Sequence, residues 1–481
     1  MIRSKAVVKY LGYILQFNAL FLFISSAISF AEGEDSLNIL LASAVASTAV
    51  GLTPHFLIGK VGEISFQEGL TISVLGWMTV CVAGMIPYYL WGDEFTLANA
   101  LFESVSGYTT TGSSILKDVE ALPKGLLFWR SSTSFIGGLG IILFVLLVLP
   151  EKKGAISSIY RVEISDLSKM SFTARGKQVA RILATVYLSL IVALTILLRV
   201  FGMNFFDAVC HSFTTVATSG FSTKNLSIAS YENIGIELVI LFFMLISSMH
   251  FGLIYATATR NKHNLFTSRV TGMYVLAILL GVLAVAFQLT RENVFEFWVA
   301  LRHAAFQVVS LASTTGYATV DTAGWPLFSI ILLLYFSIQC GMVGSTAGGV
   351  KFDRVYLFFV SLRNQLRLIL HPNGVYAVKM NGKRVEHTIE FQVMVFIILY
   401  LLTLSVTALL LAGMGIDGMT SFSASIATIG NVGPGFGNVS SLGNFGQLPD
   451  AAKCILSANM LLGRLEIMNV LALFGLFLRK R

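Results

Sequence analysis

The chain has 481 residues, with 33 Lys and Arg against 25 Asp and Glu for a formal net charge of +8, and it is 55% hydrophobic but only 12% charged. Soluble domains carry about 25% charged residues, and half that share cannot cover the surface of a chain this long. The composition therefore excludes soluble enzymes, disordered tails and disulfide-rich secreted modules, and describes an integral membrane protein.

Apolar runs of about 20 residues cross a bilayer as helices, and they predict spans near 8–30, 36–57, 70–92, 124–149, 178–201, 235–258, 268–289, 325–345, 390–413 and 452–478. The first run is too long for a signal-peptide core and is expected to remain as a span. Between the runs, charge separates by side. Segment 151–181 holds Lys152, Lys153, Arg161, Lys169, Arg175, Lys177 and Arg181 against three acids, and segment 351–388 holds Lys351, Arg354, Arg363, Arg367, Lys379, Lys383 and Arg384 against two. The positive-inside rule puts both in the cytoplasm, together with Arg3, Lys5 and Lys9, with Arg260, Lys262 and Arg269, and with Arg479, Lys480 and Arg481. Asp93-Glu94 and the stretch from Asp118 to Glu120 face outward. Both termini are thus expected inside, the bilayer lipid is the surrounding partner, and the basic excess serves orientation rather than a nucleic acid. Cys81, Cys210, Cys340 and Cys454 form no C-x-x-C pair, so neither zinc nor redox chemistry is indicated.

From residue 93 onward each outward connection carries one kind of segment, too long for a turn and too short to span. Aligned on glycine, the segments end at Gly112, Gly220, Gly316 and Gly433, and begin at Glu103, His211, Gln307 and Ala424. One T-T-G tripeptide is no evidence, and packing glycines in outer turns would explain any single loop. Four at one topological position share a phase that unrelated turns have no reason to share. The unit is helix, re-entrant loop, helix, repeated four times. The boundaries expected are 1–68 for an N-terminal transmembrane hairpin, then 69–150, 151–260, 261–370 and 371–481 for the four pore repeats. The fold class is all-α, with the repeats around a pseudo-fourfold pore.

Irregular backbone at membrane depth must be buried in protein or line a water-filled cavity. A short helix such as 96–107 points its C-terminal, partially negative end inward, which favours a cation. Glycine accepts φ > 0, which turns successive carbonyls toward the axis, and its missing side chain leaves the lumen open. Carbonyl rings of this kind replace a hydration shell, as in the potassium-channel filter. The tripeptides hold no charge, which suits a monovalent cation; a divalent pathway would carry ring carboxylates. The predicted filter is Thr111, Gly112, Ser219, Gly220, Thr315, Gly316, Val432 and Gly433.

Two features lie below it. Gly341, Gly344, Gly348 and Gly349 crowd the eighth span, and glycine costs a helix interior about 1 kcal/mol relative to alanine. A break, or simply a close helix approach, follows. Arg464 sits in the last apolar run, where a cation costs ~3 kcal/mol or more; it needs backbone carbonyls or another helix as partners, or else snorkels. Arg130 is read as an interfacial anchor, while Glu103, Asp207, His211 and Arg302-His303 are read as structural pairs. Glu237 and His250 remain unassigned.

At T-T-T-G-S-S (109–114), V-A-T-S-G-F-S (216–222), S-T-T-G-Y-A-T (313–319) and T-I-G-N-V-G-P-G (428–435), the sequence resembles the TrkH/KtrB/HKT superfamily of potassium transporters. W-R-S (129–131), Gly137-Gly138-Leu139-Gly140-Ile141 and M-L-L-G-R-L-E (460–466) add to the likeness, which covers about residues 70–475. The extra N-terminal hairpin looks like the TrkH branch. Glycine in all four filters implies potassium selectivity, whereas serine in the first repeat goes with sodium permeation. The resemblance further implies that Gly344, Ser345, Thr346, Gly348 and Gly349 belong to an intramembrane gating loop, held closed by Arg464. Ala347 stands where the family more often has glycine. The resemblance also implies a homodimer with one pore per protomer, and gating by a cytosolic nucleotide-binding RCK-type subunit, TrkA-like, for which the basic loops offer a docking face. The location implied is the bacterial cytoplasmic (inner) membrane.

The chain has no nucleotide motif of its own, potassium is cargo, and no organic cofactor is expected. A symporter coupling potassium to sodium or protons is the main competitor, but carriers commonly show inverted repeats and midplane carboxylates. A membrane enzyme or receptor scaffold would need a polar constellation at one depth, and the seven histidines are scattered.

Overall fold

Helices make up nearly all of the structure, a computed structural model that describes residues 2–59, 61–62, 64–140, 176–261 and 264–478. An N-terminal hairpin comes first, α1 (Ser4–Glu32) and α2 (Leu37–Leu57). Its two helices touch backbone to backbone, since a Cβ on Gly12 would lie 2.6 Å from the Gly51 carbonyl oxygen. Ser29 and Ser36 share a hydrogen bond of 2.6 Å across the turn. The hairpin packs against the first of four units.

Each unit has a long helix, a short one and a returning one. The first is α3 (Phe66–Trp91), α4 (Leu97–Tyr108) and α5 (Lys124–Leu139). The second is α6 (Gly176–Val200), α7 (Phe205–Val216), then α8 (Ile234–Ser247) with α9 (Phe251–Ala258). The third is α10 (Arg269–Arg291), α11 (Phe297–Ala312) and α12 (Leu327–Gln339), followed by α13 (Phe352–Leu370). The fourth is α14 (His387–Gly413), α15 (Gly418–Ile429), then α16 (Asp450–Arg464) with α17 (Ile467–Leu478). A two-residue β pair, Lys379–Met380 with Lys383–Arg384, precedes α14. Three of the four short helices start where a side chain satisfies a free amide: Thr96 accepts from Asn99, Asn204 from Asp207 and Asp417 from Thr420. Thr420, through hydroxyl and amide, holds the Asp417 carboxyl below its ordinary pKa.

Two expected spans are not continuous. Segment 235–258 bends by 104° between α8 and α9, and segment 452–478 bends by 101° at residue 466. Hydropathy averages over such breaks, because apolar side chains continue through them. The backbone groups released at the first break find partners within the protein: the Ser248 carbonyl accepts from the Met342 amide at 2.8 Å, and the His250 ring caps α9 by accepting from Gly252 at 3.0 Å. At the second, Glu466 takes φ 61° and pairs with Arg354 at 2.6 Å. The eighth span is also short, since α12 ends at Gln339. Among the described residues, six helices are long and apolar enough to cross a membrane singly, or eight if each bent pair counts as one. The inner half of span 124–149 with Ile141, the basic residues Lys152 to Arg175, Lys262, and Arg479 to Arg481 lie outside the described residues.

Candidate functional site

The four short helices end alike. Past each C-terminus comes a residue with left-handed backbone: Thr110 (φ 54°), Thr218 (φ 55°), Thr314 (φ 60°) and Asn431 (φ 52°). The next amide reaches back five residues to a helix carbonyl: Thr111 to Ser106 at 2.8 Å, Ser219 to Thr214 at 2.8 Å, Thr315 to Ser310 at 2.9 Å and Val432 to Ala427 at 2.9 Å. This turn caps the helix and reverses the chain. The glycine then follows, with φ 80° at Gly112, 76° at Gly220, 83° at Gly316 and 103° at Gly433.

The glycines also close a ring. A Cβ on Gly112 would lie 1.7 Å from the Ser219 carbonyl oxygen, one on Gly220 would lie 1.9 Å from that of Thr315, one on Gly316 would lie 2.2 Å from that of Val432, and one on Gly433 would lie 2.7 Å from that of Thr111. Each repeat therefore abuts the next, and the fourth abuts the first. The absent side chain makes room for the neighbouring repeat's carbonyl, a reason for glycine beyond the open lumen expected from sequence. All eight predicted filter residues lie in this ring, and the carbonyls of Thr111, Ser219, Thr315 and Val432 share one level of it.

Side chains lock adjacent repeats together. Arg130 and Glu103 form an ion pair at 2.6 Å with side chains 4% and 0% exposed. Glu103 also accepts from Ser114 Oγ and the Ile115 amide, while Arg130 donates to the Ser222 carbonyl at 2.8 Å and stacks on Phe221. Arg130 thus joins the first two filter segments, and the reading of it as an interfacial anchor is corrected. Its partner lies on another helix of the unit, which periodicity along one element cannot show. Thr214 and the Tyr317 hydroxyl, 2.6 Å apart, join repeats two and three. Asn431 Nδ2 donates to Thr111 Oγ1 at 3.0 Å, and Ser113 Oγ donates to the Gly433 carbonyl at 2.7 Å, which joins four to one. His211 hydrogen-bonds Ser222, Asp207 accepts from Thr223, and His303 meets Thr319. Among the described residues, no group of three or more His, Cys, Asp or Glu is placed to hold a metal ion. What the ring offers an ion is peptide oxygen.

The segment from Cys340 to Lys351 is non-helical and lies against the inner ends of three short helices. Thr346 Oγ1 donates to the Val216 carbonyl at 3.0 Å, the Gly348 amide donates to Thr314 Oγ1 at 3.2 Å, and a Cβ on Gly348 would lie 2.5 Å from the Gly430 carbonyl oxygen. Gly344 (φ 80°) and Gly349 (φ 68°) take positive φ within it, as do Cys340 (φ 59°) and Lys351 (φ 73°) at its ends. The Gly344 carbonyl accepts from Phe251 at 3.0 Å, and Ser345 Oγ donates to the Met342 carbonyl at 2.6 Å. Asp353 Oδ2 accepts from the Val343 amide at 2.7 Å. Arg464, the last residue of α16, donates to the Thr346 carbonyl at 2.7 Å and to the Gly137 carbonyl at 2.6 Å. The backbone partners expected for it are thus the loop and the end of α5. Asn431 and the Arg354–Glu466 pair act across distant parts of the chain, and Asp353 acts on the loop just before its own helix, so no local motif marks them as site residues.

A family model described as TrkH, cation transport protein, matches residues 36–479. The chain is 35% identical over 450 residues to the Trk system potassium uptake protein TrkG of Escherichia coli (strain K12), covering 92% of each chain. It is 32% identical over 476 residues to the Trk system potassium uptake protein TrkI of Halomonas elongata, covering 98% of this chain and 96% of that one. In structure it is similar to the potassium transporter TrkH from Vibrio parahaemolyticus, with a TM-score of 0.88, 29% identity and 98% of both chains covered.

Proposed function

The chain belongs to the TrkH family of cation transport proteins, a multi-pass membrane family whose named members are potassium transporters rather than enzymes, and on that footing we propose that it takes up potassium through a channel-like pore. The observation that carries this reading is the closed ring of glycine-to-carbonyl contacts. Four short helices aim their negative ends at it, and peptide oxygens replace the water of a weakly hydrated monovalent cation. Thr111, Gly112, Ser219, Gly220, Thr315, Gly316, Val432 and Gly433 are the filter. The segment from Gly344 to Gly349 is the gate, and Arg464 holds it shut beneath the ring.

The pore works in the bacterial cytoplasmic membrane with both termini inside, as a homodimer whose gate answers to a TrkA-like cytosolic subunit docked on the basic loops. The test is tracer flux into liposomes holding the purified chain. Potassium entry driven by its own gradient, without a sodium or proton gradient, supports the pore. Entry that requires such a gradient identifies a symporter. Loss of potassium-over-sodium preference in Gly112→Ser supports the filter assignment, and an unchanged preference overturns it.

A further inference from the structure

Beside the gate, α10, α12 and α13 enclose a groove of about 370 Å³. On α13 it is lined at positions 352, 355, 356, 359, 360 and 363, one face of the helix, and on α10 at 273, 276, 277 and 280. The side walls are apolar and open laterally: Met273, Leu276, Leu280 and Phe359 are between 43% and 59% exposed. Such walls belong against hydrocarbon. The two ends are different. Arg363 stands at one, about 16 Å along α13 from Phe352 at ~1.5 Å per residue. At the other lies Gln339, 1% exposed, with neither nitrogen nor oxygen of its carboxamide hydrogen-bonded.

Gln339 and Phe352 are the two residues that bracket the gate: one ends α12 immediately before it, and the other begins α13 immediately after. Phe352 also packs on Tyr274 of α10, with ring centroids 5.3 Å apart. Whatever fills the groove therefore touches both hinges of the Cys340–Lys351 segment.

We infer that this groove binds one anionic glycerophospholipid of the cytoplasmic leaflet, whose occupancy tunes the gate. Its phosphate pairs with Arg363, in a stretch that carries seven Lys and Arg against two acids between residues 351 and 388. Its acyl chain runs between α10 and α13 toward Phe352 and Gln339. A zwitterionic lipid fits the walls equally well but brings no net charge to Arg363. The binding site stands by itself, whereas the effect on gating rests on the function proposed above.

The experiment uses the full chain with phosphatidylglycerol and phosphatidylcholine of the same acyl chains. Native mass spectrometry measures lipid retention, and potassium flux is measured in liposomes of each lipid. The wild type should retain phosphatidylglycerol about fivefold over phosphatidylcholine, the preference expected of one cation worth ~1 kcal/mol. Arg363→Gln should bring that ratio near one, and Leu276→Trp, which fills the groove, should lower retention of both lipids. Flux should differ between the two lipids in the wild type and cease to differ in both variants. Equal retention by the wild type, an undiminished preference in Arg363→Gln, or cross-links through position 276 to a second copy would overturn the site. Selective retention with flux indifferent to lipid would overturn its effect on the gate. Absence of potassium flux in every lipid would instead overturn the proposed function, with retention still deciding the site.

Discussion

The ring proposed as the filter and the loop proposed as the gate are both non-helical backbone, yet they are held in different ways. The ring is built four times over from one local rule, a left-handed residue, a back-reaching amide and a glycine, and each copy is wedged against the next by backbone. The loop occurs once and is held by unrepeated contacts of both kinds, backbone bonds from Met342 to Ser248 and from Phe251 to Gly344, and side-chain bonds from Arg464 to Thr346 and between Asp353 and Val343. Backbone wedges cannot be released one at a time, whereas a guanidinium can swing away. Fixed geometry suits discrimination between ions, and breakable contacts suit a two-state gate.

If that division holds, changes around the ring should alter stability or ion preference, and changes at the loop should alter rate alone. The largest effect is expected from Glu103→Leu, which leaves Arg130 buried without its partner and should cost about 3–5 kcal/mol, measured as a fall in thermal unfolding temperature in detergent. Gly112→Ser comes next. Its Cβ meets the Ser219 carbonyl at 1.7 Å with φ 80°, and potassium-over-sodium preference in liposome flux should drop by about a hundredfold, or ~2.7 kcal/mol. Arg464→Ala removes two charge-assisted hydrogen bonds and should raise flux without any partner subunit by about tenfold, leaving ion preference as it was. A changed preference in that variant would erase the division. Gly433→Ala should be the mildest ring change, because its nearest contact is 2.7 Å; a preference within about threefold of wild type, ~0.7 kcal/mol, is expected. A Gly433→Ala loss as large as that of Gly112→Ser would show that left-handed backbone, not the wedge, sets the demand for glycine.

Composition and periodicity are local, and what they determine is local. Apolar runs placed α1, α2, α3, α6, α10 and α14, because a lipid-facing helix must be apolar along its length. The shared phase of Thr111-Gly112, Ser219-Gly220, Thr315-Gly316 and Val432-Gly433 marked the ring, because a repeated backbone turn needs a repeated sequence. The glycines from 341 to 349 marked the loop for a similar reason. Tertiary structure alone decided that the fourth glycine closes on the first repeat's carbonyl, that Arg130 serves Glu103 and Ser222, and that spans break at residues 248–250 and 466. Those facts depend on groups brought together from distant parts of the chain. A bend in an apolar segment is stabilised by partners elsewhere in the fold, so no window along the sequence contains its cause.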